Sequence, residues 1–450
     1  MKAQFLKHWD QLRSSFWFLP ALMAVASVAL AFLAGWLDET VTDKWLSNTS
    51  WVYGGGAEGA SAVLSVIAGS MMTIAGVVFS MTLVAMTLAS SQFGPRLLRN
   101  FMRDTRNQMV LGTFVATFLY CLLVLRTIRR GDAETFVPHL SVTPGVVFAM
   151  VGIGVLIYFI HHVSVSIQAD EIVARVGDEL NDSIERLYPD RIDQEDTAEA
   201  PDKAGEELPA SFVPDARAVG APRDGYLQFF DVDALVGLAT EHDLVLRIER
   251  RPGHYVTADR MLLLVAPADR CTDEIAAAII DTIIVGNQRT PAQDIEFPIS
   301  QLVEIAVRAL SPGINDPYTA IRCVDRLGSA LFRLVQRRQP SSFRFDDDNR
   351  LRVLMPPVSF ENVLDSAVNQ IRQNSSDSAA VSIRLLEVLG IIAEAASRPE
   401  DREALGRHAH IVATGACRSL PDASDRSAVQ DRLAVVNRAL GATASHRMPA

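Results

Sequence analysis

The stretch ASAVLSVIAGSMMTIAGVVFSMTLVAMTLASS, residues 60–91, contains no charged side chain and is longer than a membrane crossing requires. As an α-helix it would extend for about 48 Å, because each residue adds about 1.5 Å, whereas the hydrocarbon core of a bilayer is about 30 Å thick. The stretch therefore predicts a transmembrane helix that tilts or projects into water at one end.

Three further apolar segments reach the roughly 20 residues that a membrane span needs. They are residues 16–36, 108–125 and 142–163. The first follows basic residues, as the apolar part of a signal peptide does, but its apolar run continues beyond the small residues at 29–31, so we expect it to be retained. The sequence thus predicts a four-helix transmembrane domain over residues 1–167.

The charges between the spans indicate the orientation of the chain. Four arginines lie between the second and third spans: Arg96, Arg99, Arg103 and Arg106. Basic residues also precede the first span, whereas the loop at 37–59 is mainly acidic. Because cytoplasmic loops carry an excess of Lys and Arg, both termini are predicted to be cytoplasmic. Basic residues at 126–130 favour the opposite orientation, but acidic residues follow them and the other regions agree.

Small and hydroxylated side chains repeat along residues 60–91 at spacings of three and four, which places them on one face of a helix. They are Ser70, Thr73, Ser80, Thr87 and Ser91, with Val77 and Val84 between them. One interpretation is close packing between membrane helices, which small residues allow. The other is a pore surrounded by copies of this helix, with the five hydroxylated residues as its lining.

The four arginines at 96–106 also have two interpretations. They would form a positive ring at the cytoplasmic mouth of such a pore and favour anions, or they would contact anionic lipid headgroups. No Asp, Glu, Lys or Arg lies within the four spans away from their ends. The sequence therefore lacks the buried ionisable groups of proton-coupled pumps and voltage sensors, which disfavours active transport.

The remainder of the chain is acidic. Residues 1–167 carry a formal charge of +3 and the others −14, so nucleic acid is not expected as a partner, because its phosphates would be repelled. The four cysteines form no C-x-x-C pair, and no metal site is predicted. Neither G-x-S-x-G nor H-E-x-x-H occurs, and the sequence predicts neither an enzyme nor a cofactor.

The soluble region divides into parts of different pattern. They are a helical stalk at 168–190 that continues the fourth span, an acidic linker at 191–212, a small α/β domain at 213–269, a mainly helical domain at 270–440 and a disordered tail at 441–450. Apolar spacing of three and four predicts the stalk, and acidic composition without aromatic residues predicts the linker. The predicted fold class is a membrane α-helical protein with a cytoplasmic α+β region.

A polar set in the helical domain surrounds the turn SPGIND, residues 311–316. It consists of Arg289, Gln293, Asp294, Arg308, Asn315, Asp316 and Arg322. Asp316 is a candidate N-cap and Pro317 suits the first helical position after it. The set would either bind an anionic ligand at a helix N-terminus or form a buried salt-bridge network between two helices.

Three motifs together resemble a family of bacterial membrane proteins. They are SMTLVAMTLASSQFGPRLLRNFMRD at 80–104, LGTFVATFLYCLLVL at 111–125 and QDIEFPISQLVEIAVRALSPGINDPYTAI at 293–321. The chain resembles, over most of its length, the predicted membrane proteins classed as domain of unknown function 2254. This resemblance implies four spans near the N-terminus and a cytoplasmic C-terminal region in the bacterial inner membrane, and it implies no reaction.

Two functions follow as hypotheses. The first is a homo-oligomeric channel or permeability protein, lined by the second helix and regulated by the cytoplasmic body. The alternative is a non-conducting membrane-tethered sensor or scaffold that binds an anionic ligand or partner protein. The expected partners are membrane lipids, further copies of the chain, and an ion or small anionic ligand.

Overall fold

The computed structural model describes residues 17–40, 53–94, 104–129, 136–166, 168–190 and 212–445. The chain divides into two compact units, Met1–Glu171 and Ile172–Ala450. Residues 41–52 of the first loop, Arg96, Arg99 and Arg103, most of the acidic linker and the last five residues lie outside the described ranges.

The first unit contains four long helices. They are α1 (Phe18–Thr40), α2 (Ala57–Phe93), α3 (Thr105–Thr127) and α4 (His139–Ser166). Each is long and apolar enough to cross a membrane. The four predicted spans are therefore confirmed as helices. Helices α2, α3 and α4 extend a few residues beyond both predicted bounds, whereas α1 begins at Phe18 and extends beyond its predicted bound only at its end.

Helix α3 packs against the other three helices of the first unit. Its Phe114, Tyr120 and Cys121 side chains are fully buried. Close packing depends on small residues: a Cβ atom on Gly112 would lie 3.2 Å from the Cα atom of Pro20. The Tyr120 hydroxyl donates a hydrogen bond of 2.9 Å to the Ser141 carbonyl of α4. An apolar bundle with buried side-chain hydrogen bonds thus holds the first unit together.

Residues 168–190 contain helix α5 (Ala169–Leu187), and α4 is described as far as Ser166. The apolar spacing that predicted a continuous stalk is present, but its side chains are buried within the second unit, as Leu180 and Ile184 show. A Cβ atom on Gly177 would lie 3.0 Å from Cδ of Arg326 in the later helices. The helix predicted for the stalk is therefore present at Ala169–Leu187, and its apolar face packs onto its own domain.

The α/β part of the second unit contains two small sheets. Its strands are β1 (Arg217–Gly220), β2 (Gly225–Phe230), β3 (Val245–Ile248), β4 (Tyr255–Val256), β5 (Met261–Ala266), β6 (Ile283–Gly286), β7 (Phe343–Phe345) and β8 (Leu351–Leu354), and its helices are α6 (Val232–Glu241) and α7 (Asp273–Asp281). One sheet has the order β1-β5-β3-β8-β7 and the other β4-β2-β6. Only the β3–β8 pair among the described strands is parallel.

The α/β part extends beyond its predicted end at residue 269. Strand β6 pairs with β2, and β8, which lies more than sixty positions later, pairs with β3 through Leu246 and Val353. Both Leu246 and Val353 are fully buried in one core. Pairing between strands distant in the chain leaves no local signal, and for that reason the sequence pattern misplaced this boundary.

The helical part contains six helices among the described residues. They are α8 (Glu296–Ala309), α9 (Pro317–Val335), α10 (Phe360–Asn374), α11 (Ala379–Ala395), α12 (Pro399–Ser419) and α13 (Ala423–Ser445). The predicted cap of α9 is confirmed, since the Asp316 carboxylate accepts a hydrogen bond of 3.1 Å from the Thr319 N–H. Helix α13 continues through Gly441 to Ser445, where a disordered tail was predicted.

Candidate functional site

The predicted stripe of α2 lies on the surface of the first unit. We call Ser70, Thr73, Val77, Ser80, Val84, Thr87 and Ser91 the hydroxyl face. All seven side chains are exposed, and about half of the surface of Val77 and Val84 is accessible. Within one chain, none of the other described helices therefore covers the hydroxyl face.

The opposite side of α2 carries the packing within the chain. Met71, Ala75 and Val78 are buried there against α3 and α4. Since successive helix residues are about 100° apart, this buried side lies about 180° around the helix from Ser80. Small residues do permit close packing here, as Ala68, Ala85 and Ala89 show. Within the chain, close packing therefore involves a face of α2 other than the hydroxyl face.

The hydroxyl groups on this face bond mainly to their own helix. Thr73 donates to the Gly69 carbonyl at 3.0 Å and Thr87 to the Val84 carbonyl at 2.8 Å. Such bonds satisfy a hydroxyl proton and leave oxygen lone pairs for another partner. Gly69 and Gly76 stand beside the face, and a Cβ atom on either would meet no heavy atom within 4 Å. This side of α2 thus has room for another helix.

One of the four predicted mouth residues, Arg106, is described. It is exposed in the first turn of α3, and its N–H donates to the Asp104 carboxylate at 2.9 Å. Asp104 also contacts His162 of α4, with 2.9 Å between Oδ2 and Nε2. No sequence motif points to this pair, because fifty-eight positions separate its members.

In the structure, the polar set of the second unit forms two separate groups. At the start of α8, the Arg289 guanidinium forms two hydrogen bonds, of 2.7 and 3.0 Å, with the buried Asp294 carboxylate. Burial raises the pKa of Asp294, and the Arg289 guanidinium opposes that rise. The Gln293 side chain bonds to both the N–H and the carbonyl of Phe230, each at 2.9 Å. These contacts have the geometry of a network that holds the loop against β2.

The other members of the set lie at the far end of α8. Arg308 is in its last turn, while Asn315, Asp316 and Arg322 belong to the following turn and α9. Helix α8 is about 21 Å long at 1.5 Å per residue, and this length separates the two groups. Asp316 is engaged in capping α9. The seven residues therefore do not form one pocket.

The second unit contains a cleft of about 1150 Å³. Its walls come from the end of α5, one side of α6, the turn before β4, the start of α8 and the β7–β8 hairpin. Of the predicted binding residues, only Gln293 lines it. No local sequence pattern signals the cleft, because its lining residues come from positions between 186 and 358. Within the described ranges, no group of three or more His, Cys, Asp or Glu side chains is arranged to hold a metal ion.

Comparison with known proteins gives relatives over most of the chain. The family model described as "Predicted membrane protein (DUF2254)" matches residues 13–390. Uncharacterized proteins of Mycobacterium tuberculosis strain H37Rv and of Mycobacterium bovis are each 35% identical over 429 residues, which cover 93% of this chain and 80% of theirs. No solved structure matches.

Proposed function

We propose that this chain, which belongs to the DUF2254 family of predicted membrane proteins, is a homo-oligomeric channel in which the hydroxyl face of α2 lines a polar path across the membrane. The observation that carries the proposal is the exposure of this face on the side of α2 opposite to its buried face. In this proposal the membrane is a bacterial inner membrane, and both termini are cytoplasmic.

The composition of the face favours a subunit contact over a lipid contact. A surface that contacts acyl chains gains nothing from hydroxyls and glycines, whereas helix interfaces and pore walls are built from them. Gly69 and Gly76 have open space around them, so a neighbouring helix is able to approach closely. The bonds of Thr73 and Thr87 to their own helix leave their oxygens able to accept hydrogen bonds from water or a permeating solute.

The proposed path carries positive charge at its cytoplasmic end. Helix α2 has 37 residues and is about 56 Å long at 1.5 Å per residue, so it extends beyond a core of about 30 Å. The four arginines at 96–106 follow it directly in the chain. In the proposed channel they form a ring of positive charge that attracts anions to the cytoplasmic mouth.

Electrical recording with purified protein in planar bilayers tests this function. We expect anion-selective conductance that changes by severalfold in Ser80→Phe, because an aromatic ring on the hydroxyl face would narrow the path. Met81→Phe is the matched control, since it places the same ring at the same depth about 100° around the helix. Absence of conductance, or equal conductance in wild type and Ser80→Phe, would contradict the proposal.

A non-conducting sensor is the second candidate, and the cleft in the second unit is the observation that favours it. The two candidates differ in the part of the chain that acts. A sensor would bind its ligand without conductance, and its hydroxyl face would serve only for assembly.

A further inference from the structure

The cleft in the second unit combines apolar walls with guanidinium groups. Val236 of α6, Phe345 of β7 and Met355 after β8 line it and are half-buried. Arg186, Arg251 and Arg344 also line it. Its volume of about 1150 Å³ is slightly above the roughly 300–1,000 Å³ that small-molecule sites occupy.

Arg344 differs from the other arginines of the cleft because it is half-buried without a carboxylate partner among the described residues. Its Nη1 atom donates to the Phe343 carbonyl at 3.1 Å and to the Ser341 carbonyl. Burial lowers the pKa of this guanidinium. A cation that is partly removed from water and bonded only to carbonyls has unused attraction for an anion.

The other two arginines are already engaged. Arg251 lies 3.3 Å from Glu296 and donates to His254 at 3.1 Å. Arg186 is exposed and donates to the Pro291 carbonyl at 2.7 Å. Arg344 is therefore the group in the cleft with the most to gain from a bound anion.

Carboxylates line the same cleft, and their placement differs from that of Arg344. Asp233, Glu241, Asp347 and Asp348 are exposed. Asp346, the remaining one, is paired with Arg352 at 2.7 Å. Exposed carboxylates are screened by water and salt but repel a highly charged anion as it approaches. This arrangement favours a ligand with one negative charge and an apolar body.

We propose that the cleft is a binding site for an organic monoanion, whose charged group pairs with Arg344 and whose apolar body packs against Val236, Phe345 and Met355. This site is independent of the proposed channel, since it lies wholly within the second unit. The ligand class is an aromatic or aliphatic carboxylate.

Three fluorinated probes of one shape test the charge preference. They are 4-(trifluoromethyl)benzoate, the neutral 4-(trifluoromethyl)benzamide and the cationic 4-(trifluoromethyl)benzylammonium. Binding is measured by ¹⁹F NMR line broadening with the full chain in lipid nanodiscs, and empty nanodiscs supply the background. We expect the benzoate to bind at least about tenfold more tightly than the amide, because a charge-assisted hydrogen bond is stronger than one between neutral groups.

Two variants and one control variant locate the site. Arg344→Gln should weaken benzoate binding about tenfold or more, whereas Arg333→Gln should leave it unchanged, because Arg333 is an exposed arginine outside the cleft lining. Gly237→Phe should block binding sterically. Gly237 lines the cleft, and a Cβ atom on it would have no heavy atom within 4 Å, so the ring has space and the helix gains a better helix former.

Each opposing result overturns the assignment. Benzoate binding no stronger than that of empty nanodiscs would exclude the site for this class. Equal loss in Arg344→Gln and Arg333→Gln would show a general charge effect. Tighter binding of the ammonium probe than of the benzoate would assign the cleft to cations through its carboxylates.

Discussion

The Asp38 carboxylate at the end of α1 caps the amino terminus of α4 by accepting a hydrogen bond of 2.9 Å from the backbone N–H of Ser141. Its other oxygen accepts a bond of 2.8 Å from the N–H of Leu140. The first N–H groups of a helix have no partner within it, and negative charge interacts favourably with that end. One side chain thus joins two membrane helices that are a hundred positions apart.

Replacing Asp38 should destabilise the first unit. We expect Asp38→Ala to lower its free energy of unfolding by about 1–2 kcal/mol, because two backbone donors of α4 lose their acceptor. Thermal unfolding followed by tryptophan fluorescence measures the effect. Glu58→Ala is the control, since Glu58 is an exposed acidic residue in the first turn of α2. Equal effects of the two substitutions would show that the cap contributes nothing specific.

Gly253 should not tolerate a side chain. Its φ angle is +92°, and a Cβ atom there would lie 2.4 Å from the Asp294 carboxylate. We expect Gly253→Ala to destabilise the second unit by about 1–3 kcal/mol, since it combines left-handed backbone strain with displacement of the Arg289–Asp294 pair. Hydrogen exchange of peptides from β2 and α8 measures the loss of protection.

Gly237→Ala supplies the contrast. Gly237 lies inside α6, where a Cβ atom meets nothing, and alanine there should raise stability by up to about 1 kcal/mol. If Gly253→Ala were as well tolerated as Gly237→Ala, the predicted backbone strain at Gly253 and the predicted displacement of the Arg289–Asp294 pair would both be contradicted.

The second unit should lose stability in mild acid because of His408. Its ring is fully buried, its Nε2 atom lies 2.6 Å from the Asp365 carboxylate, and its Nδ1 atom has no hydrogen-bond partner in the described structure. Burial lowers the pKa of His408 below its ordinary value of 6.5, and the nearby Asp365 opposes this shift only in part. The unfolded chain therefore binds the proton more readily than the folded one.

The sign of the pH effect follows from that difference. The stabilisation from neutral His408 is complete above pH 6.5 and is lost as the pH falls toward the lowered pKa of the folded state. We expect hydrogen-exchange protection of α10 and α12, corrected for intrinsic exchange rates, to decrease between about pH 7.5 and 5.5. His408→Gln should reduce this dependence, and His410→Gln, at an exposed neighbouring position, should not. An unchanged pH dependence in His408→Gln would contradict the assignment.

The sequence predicted those features that depend on neighbouring residues. The four membrane helices follow from continuous apolar length, and the cap of α9 follows from Asp316 and Pro317 standing together. The sequence does not show which surface an apolar helix face packs against. The face of α5 has the same spacing whether it covers a neighbouring subunit or its own domain, and only the structure shows Leu180 and Ile184 buried in the second unit.

Features built from distant segments were not predictable in this way. The pairing of β3 with β8 and the contact of Asp38 with Ser141 join residues about a hundred positions apart. The predicted polar set was grouped because its members are close in sequence, but in the structure they lie at opposite ends of α8. Arg344, which lines the cleft, belongs to no recognisable motif, and its significance comes from the absence of a carboxylate beside it among the described residues.

The most direct test of the proposed channel compares the water accessibility of two adjacent positions on α2. Ser80→Cys lies on the hydroxyl face and Met81→Cys lies about 100° away at the same depth, and both native side chains are exposed in the single chain. Cys417→Ser is a suitable background, because the other three cysteines are buried. The reagent is the charged, water-borne sulfonatoethyl methanethiosulfonate, applied to the protein in membranes.

Only a thiol that contacts water forms the thiolate that reacts. A channel lined by the hydroxyl face predicts that Ser80→Cys is modified at least about tenfold faster than Met81→Cys, because the first would line a water-filled path and the second would face lipid or protein. Equal, slow modification of both positions would place the hydroxyl face in lipid or in a dry helix contact and would contradict the proposed channel.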